Sequence, residues 1–317
     1  MDIRNIAFGV YQVREEEGWF YFDRFNESQK EYLRTIDESF YRHALLSSGV
    51  TLEFVTSSRK FSFDYRFVIK ESKDSFDLFV DGKRTDQRFV ALLEDEGKIT
   101  FENLPEGKKR IVLFFPFDTG VAIKNFSCLD VEPIEKDTKV LWVGDSITQG
   151  YGVYQSGDTY LDRFQRLSGF DILNQGLAGY YCDPSFDLKL SGYDPDFLVL
   201  SEGTNQHKRE SAFEEVKKTI AGLQKDYPNK ALFVISPLRR FDNDFDAKKL
   251  DALRDYMNAP LAEELHYHPI DGLSLLSPNP SLYFDLLHPN SEGAKEIAEN
   301  MKRQMDAVFQ SQTTKIR

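Results

Sequence analysis

The sequence predicts an α/β protein in two parts: an N-terminal antiparallel β-sandwich, jelly-roll-like, and a C-terminal domain with a parallel sheet and helices on both faces. Three observations predict it. Much of the first half alternates apolar and polar residues at period two, with turn pairs between the runs. From about residue 135, short unbroken apolar runs take turns with helical stripes. The chain, at 317 residues, is longer than one hydrophobic core usually organises.

In the first half, Phe61, Phe63, Tyr65, Phe67 and Ile69 alternate with Ser62, Asp64, Arg66 and Lys70, the period of a half-buried strand. Segments 51–55, 75–80, 88–93, 98–102, 109–115 and 121–126 also read as short strands. Asp81-Gly82, Glu96-Gly97 and Glu106-Gly107 supply turns between several of them. Many short strands without a convincing helix indicate a sandwich or jelly roll over residues 1–130. The polar stretch 131–137 is the expected linker, and 138–317 the second domain.

In the second half, Val140–Val143 and the runs 170–173, 197–200 and 231–235 each suit a strand buried on both faces. Between them lie helical stripes: Phe213, Val216, Ile220 and Leu223, then Leu250, Leu253, Met257 and Leu261. A last stripe, Ala294, Ile297, Met301, Met305 and Val308, follows the capping signal Pro289-Asn290-Ser291.

A formal net charge of −12 repels phosphate backbones and anionic lipid, which argues against nucleic acid or membrane as the main partner. The two cysteines, Cys128 and Cys182, make no disulfide framework and sit in no metal-type spacing. Met1-Asp2-Ile3-Arg4-Asn5 lacks the basic-then-apolar pattern of a signal peptide, and no apolar run reaches membrane-spanning length. A cytoplasmic protein is the expectation. His266 and His268 have no partnered cysteine or carboxylate series, so no metal is assigned to them.

The chemistry-bearing residues follow the strands of the second half. Val140–Val143 runs into Gly144-Asp145-Ser146-Ile147-Thr148-Gln149-Gly150, and sites in open α/β sheets form at the carboxyl ends of strands. A serine there can serve as a nucleophile, or merely cap the next helix. Asp285-Leu286-Leu287-His288 lets a carboxylate reach Nδ1–H of the same imidazole, which leaves Nε2 to take a proton from serine. An acyl-transfer site also needs donors for the developing oxyanion. Asn174-Gln175-Gly176-Leu177-Ala178-Gly179 follows the second strand, and Glu202-Gly203-Thr204-Asn205 follows the third.

These ordered segments resemble the four blocks of the SGNH (GDSL-like) hydrolases: Gly144-Asp145-Ser146, then Gly179, then Gly203-Thr204-Asn205, and last Asp285-Leu286-Leu287-His288-Pro289. The resemblance covers about the C-terminal 180 residues and implies a flavodoxin-like hydrolase domain. It implies a triad of Ser146, His288 and Asp285, and an oxyanion hole from the N–H groups of Ser146 and Gly179 and the side chain of Asn205. No metal or organic cofactor is needed. The family's third block usually continues with Asp; here Gln206 follows, which puts the local loop geometry in question.

A sandwich followed by such a domain resembles the two-domain enzymes of carbohydrate esterase family 2, which implies removal of acetyl groups from a saccharide. Ser75–Gly82 and Lys109–Pro116 resemble strands of their accessory domain. Tyr151, Tyr154, Tyr180 and Tyr181, beside the nucleophile and oxyanion loops, are candidate sugar platforms. Trp142, inside a strand, reads as core, and His207 as an exposed loop histidine.

The expected partner is thus a small-molecule or oligosaccharide ester, with oligomeric state left open. Rival readings are an esterase, lipase or O-acyltransferase acting on non-sugar esters, an inactive saccharide-binding protein, and a flavodoxin-type nucleotide binder. The last would want a phosphate loop richer in glycine, serine and threonine than Gly144–Gly150.

Overall fold

The structure is a computed structural model that describes residues 2–70 and 74–315. Among the described residues, eleven strands precede residue 134: β1 (Ala7–Phe8), β2 (Gln12–Glu16), β3 (Trp19–Asp23), β4 (Thr51–Thr56), β5 (Phe61–Lys70), β6 (Ser75–Val80), β7 (Lys83–Phe89), β8 (Glu96–Phe101), β9 (Lys109–Phe114), β10 (Thr119–Cys128) and β11 (Glu132–Pro133). They form two antiparallel sheets, one ordered β1-β4-β9-β6-β7 with β11 on β4, the other β2-β3-β10-β5-β8.

The inward residues foreseen by the period-two pattern close the space between the sheets. Phe54 of β4 meets Phe61 of β5 edge-on at 5.6 Å, and Phe76 of β6 meets Phe115 at 5.5 Å, with Phe63, Phe101, Ile111 and Leu113 buried beside them. Offset and edge-on aromatic pairs add packing energy beyond the area they bury. Two details differ from the sequence reading. Segment 88–93 leaves the strand at Phe89 and turns through a single 3-10 turn, Val90–Leu92. The expected linker 131–137 is tied down: Glu132 and Pro133 pair with β4, and Lys136 bonds to buried Glu53.

The first half is also not free of helices. Between β3 and β4 run α1 (Glu27–Ile36) and α2 (Glu38–Ala44). Asn26 and Gln29 make a reciprocal capping box that starts α1. Phe25, Leu33 and Ala44 of this insertion pack into a core of the second half, not into the sandwich.

Beyond residue 138 the sheet consists of β12 (Lys139–Gly144), β13 (Asp171–Gly176), β14 (Phe197–Ser201), β15 (Ala231–Ile235) and β16 (His268–Ile270), parallel throughout and ordered β13-β12-β14-β15-β16. The helices are α3 (Ser146–Gln149), α4 (Tyr160–Ser168), α5 (Ala212–Asp226), α6 (Ala247–Asn258), α7 (Pro260–Leu265) and α8 (Ser291–Lys315). Alternate residues of β12 point to opposite faces: Leu141 and Val143 join Val216, Ile220 and Leu223 of α5 and Met257 of α6, whereas Val140 and Trp142 join Leu161 and Phe164 of α4 and Ile297 and Met301 of α8. The stripe through Leu250 is broken at Pro260, so Leu261 belongs to α7. Phe213 is largely exposed.

The sandwich side lies along β13, the edge of this sheet. Gly9 donates its N–H to Asp171 Oδ1 at 2.8 Å. Fully buried Arg24 donates to the carbonyls of Asn174 and Gly176, and also to those of Leu46 and His43. Among the described residues no helix is long and apolar enough to cross a membrane.

Candidate active site

Strand β12 places Ser146 at the carboxyl end of a central strand, where the strand order reverses between β13 and β14. The turn is tight because Gly144 has no side chain: a Cβ there would lie 2.1 Å from Thr148 Oγ1. Buried Asp145 caps the turn by accepting from Ile147 N at 3.0 Å. Burial lifts its carboxyl to about 6, against the pull of the Ile147 N–H.

Ser146 Oγ lies 2.9 Å from His288 Nε2, and His288 Nδ1 lies 2.7 Å from Asp285 Oδ2. An ionised carboxylate cannot donate, so Nδ1 carries the hydrogen and Nε2 is left as acceptor for the serine hydroxyl. The loop achieves this over a three-residue spacing because Leu286 takes φ +69°, the left-handed region where a bulky residue is strained. Phe241 N–H holds the Leu286 carbonyl at 2.7 Å. Asp285 Oδ1 then accepts from Leu287 N at 3.1 Å and His288 N at 2.7 Å. Partial burial pushes the Asp285 carboxyl up, but the His288 and Leu287 donors outweigh it and hold it below the usual carboxylate range. Leu286 carries no signal in the sequence, since its conformation is one leucine rarely adopts.

The donors foreseen for an oxyanion lie on two neighbouring loops. Gly179 sits at φ +77°, a conformation glycine takes without strain. Around it the N–H groups are taken: Leu177 donates to Gly144 O, Ala178 to Gln149 Oε1, and Tyr180 to Leu177 O. Those of Ser146 and Gly179 have no acceptor among the described residues. Asn205 Nδ2 donates to Tyr180 O at 2.8 Å, which fixes the amide and leaves its second hydrogen.

Gln206, which follows Asn205, explains how the loops stay together. Its Oε1 accepts from Cys182 N at 2.8 Å, and its Nε2 donates to Cys182 O at 3.3 Å and to Glu215 Oε2 at 2.6 Å. A carboxylate could accept but not donate there.

The four tyrosines separate. Tyr151 is 5.6 Å from the His288 ring, and Tyr154, 53% exposed, meets Phe284, 57% exposed, edge-on at 5.7 Å. Tyr181 is half-buried under the Arg209 guanidinium, 3.9 Å from its ring. Tyr180 is not a platform: it is buried against Phe40 of α2 and Phe186, with its hydroxyl on Asp183. His207 is likewise buried, its Nδ1 on Thr204 O, while Trp142 is core as expected. Phe284 and Leu286, exposed beside Asp285, were not foreseen.

Residues 142–296 match the model of the GDSL-like Lipase/Acylhydrolase family. No curated protein matches the chain. Among solved structures, the salicylyl-acyltransferase SsfX3 from a tetracycline biosynthetic pathway is similar over 96% of this chain and 94% of its own, at 20% identity and TM-score 0.76. A family two carbohydrate esterase from Clostridium thermocellum, in complex with cellohexaose, is similar over 92% of this chain and 99% of its own, at 17% identity and TM-score 0.67. The acetyl xylan esterase Est2A from the rumen bacterium Butyrivibrio proteoclasticus is similar over 84% of this chain and 91% of its own, at 13% identity and TM-score 0.66. At these identities the likeness is one of fold.

Proposed function

We propose that this chain, whose residues 142–296 carry a GDSL-like lipase/acylhydrolase domain, removes short acyl groups, chiefly acetyl, from a carbohydrate or similar small acceptor. The observation that carries the reading is the line Ser146 Oγ, His288 Nε2 and Nδ1, Asp285 Oδ2, at 2.9 and 2.7 Å, beside two N–H groups without acceptors among the described residues. His288 takes the Ser146 proton as Oγ attacks the ester carbonyl. The oxyanion is held by the N–H groups of Ser146 and Gly179 and by the Asn205 amide. His288 returns the proton to the leaving alcohol, and water repeats the sequence on the acyl-enzyme. Asp285 stabilises the imidazolium in both halves.

Two features support a short acyl group and a sugar-like acceptor. The cavity behind the nucleophile turn, lined by Asp145, Ile147, Tyr160 and Met301, has about 10 Å³, room for one water at most, so a long alkyl chain finds no tunnel there. Beside His288, the exposed rings of Tyr154 and Phe284 offer apolar faces to a pyranose. O-acyl transfer is the second reading, favoured by the same rim: an acceptor alcohol stacked there could reach the acyl-enzyme in place of water.

The test is a series of 4-nitrophenyl esters from acetate to octanoate, run beside acetylated xylo- and manno-oligosaccharides, with and without an added acceptor alcohol. Acetate should lead the series in kcat/KM. Octanoate equal to or above acetate would end the deacetylase reading, and acylated alcohol as the main product would make transfer the function.

A further inference from the structure

Gln149 ends α3, directly after the nucleophile turn, and is fully buried. Every polar group it has is engaged. Its N–H donates to Asp145 O at 2.9 Å, and its carbonyl accepts from Ser48 Oγ at 2.6 Å. Its side chain reaches in two directions, with Oε1 accepting from Ala178 N at 2.8 Å and Nε2 donating to Asp118 Oδ1 at 3.1 Å. Chemistry fixes that orientation of the amide, because a peptide N–H requires an acceptor and a carboxylate requires a donor.

The two ends of this bridge belong to different parts of the molecule. Ala178 immediately precedes Gly179 in the loop after β13. Asp118 lies in the connection between β9 and β10 of the sandwich, buried, and that connection is itself pinned: Asp118 N and Thr119 Oγ1 both donate to the Asp74 carboxylate, at 2.6 and 3.0 Å. The strand that leads into this loop is held from the same side. Asn174 Nδ2 donates to Ser48 Oγ at 2.7 Å, and Arg24 donates to the Asn174 and Gly176 carbonyls.

We infer that Gln149 is a positioning residue through which the sandwich, by way of Asp118, sets the Gly179 N–H against Ser146. The inference rests on the reading of Gly179 as an oxyanion donor. An oxyanion donor acts over a narrow distance range, and a displacement near 1 Å costs about a hundredfold in rate. A backbone donor on a glycine loop has no side-chain packing of its own to hold it, so its neighbours must.

The test compares Gln149→Met, Gln149→Glu, Asp118→Asn and the double variant Gln149→Glu/Asp118→Asn, each with kcat and KM for 4-nitrophenyl acetate and a melting curve. Gln149→Met cannot bond Ala178 or Asp118, and Gln149→Glu sets a carboxylate against Asp118. In both, kcat should fall roughly tenfold or more with KM changed less than about threefold. The double variant restores a donor–acceptor pair, since the amide introduced at position 118 can donate to the carboxylate introduced at position 149. It should recover kcat to within about threefold of Asp118→Asn alone. If both single Gln149 variants lose melting temperature but keep wild-type kcat, or if the double variant is no better than Gln149→Glu, the bridge is glue and the inference is overturned. Ser146→Ala separates the two levels: retained turnover there sinks the reading of the site itself, whereas its loss beside an unimpaired Gln149→Met sinks only the positioning role.

Discussion

Between β12 and α8, the side chains proposed to act on substrate leave the backbone within a few residues of a strand end or inside one short turn. Ser146 follows β12, Asn205 follows β14, and Asp285 and His288 share a loop. The N-terminal half contributes differently. Arg24, Ser48 and Asp118 touch no proposed substrate position: Arg24 and Ser48 bond Asn174, in the strand that leads to Gly179, across sequence separations of 150 and 126 residues, and Asp118 meets Gln149 across 31. Buried acids are kept in two ways: Glu53 of β4 is paired with Lys136 and Arg110, whereas Asp162 and Glu202 have no ion pair among the described residues. One region carries the groups proposed to react, and the other bonds to the segments that present them.

The sharpest test of that division is Ser146→Ala. Turnover should fall by about 10⁴ or more with little change in melting temperature, and fluorophosphonate should label Ser146 in the wild type and leave the variant unlabelled. Labelling of the variant at wild-type stoichiometry would place the nucleophile elsewhere.

Asn205→Ala should lower kcat by roughly a hundredfold with KM nearly unchanged, because the amide bond strengthens as charge develops. An unaltered kcat would remove Asn205 from the oxyanion hole. Arg24→Met probes the other side of the comparison. Leaving four carbonyls without their donor should cost about 3 kcal/mol of stability, read by denaturant unfolding. Midpoints for the two halves that part company in this variant would show that Arg24 couples them; a change below about 0.5 kcal/mol would leave it a bystander.

The smallest effect concerns pH. Burial, with the Asp145 charge adding to it, lifts Glu202 to about 8, and burial lifts Asp162 to about 7. A raised acid keeps its proton in the folded state where the unfolded chain has lost it, so stability is greatest below the ordinary Glu range and declines as pH rises to about 8. Burial also pushes Glu53 up, but Lys136 and Arg110 outweigh it and hold it low, so its contribution is present above the usual range and lost as pH falls through the depressed value. Glu202→Gln should therefore melt a few degrees above the wild type at about pH 8.5 and level with it at about pH 5. Equal melting at both would mean that Glu202 is ionised in place.

The parallel sheet was readable because a strand buried on both faces needs an unbroken apolar run: 231–235 coincides with β15, and Val140–Val143 lies within β12. The residues that meet at the site were readable because each follows such a strand or sits in one turn. Arg24, Ser48, Asp118 and Gln149 were not, since their meaning lies in partners that are distant in the chain. One omission produced another. With α2 unforeseen, nothing in the sequence showed that Phe40 would cover Tyr180, and a core tyrosine passed for a sugar platform. Leu286 stayed hidden for the opposite reason: the need is local, but the residue is one that disguises it.

The contact between Arg24 and β13 has a consequence for solubility. A sheet that ends on an open strand offers a row of unpaired carbonyls and N–H groups to any other strand that drifts past. Asn174 and Gly176 lie two residues apart, so their carbonyls point the same way, and one guanidinium occupies both. A single side chain thereby does what a covering strand would do, without extending the ladder. Expressing residues 138–317 alone would remove that guard along with Gly9, and the freed edge of β13 would become the place where such fragments join one another into aggregates.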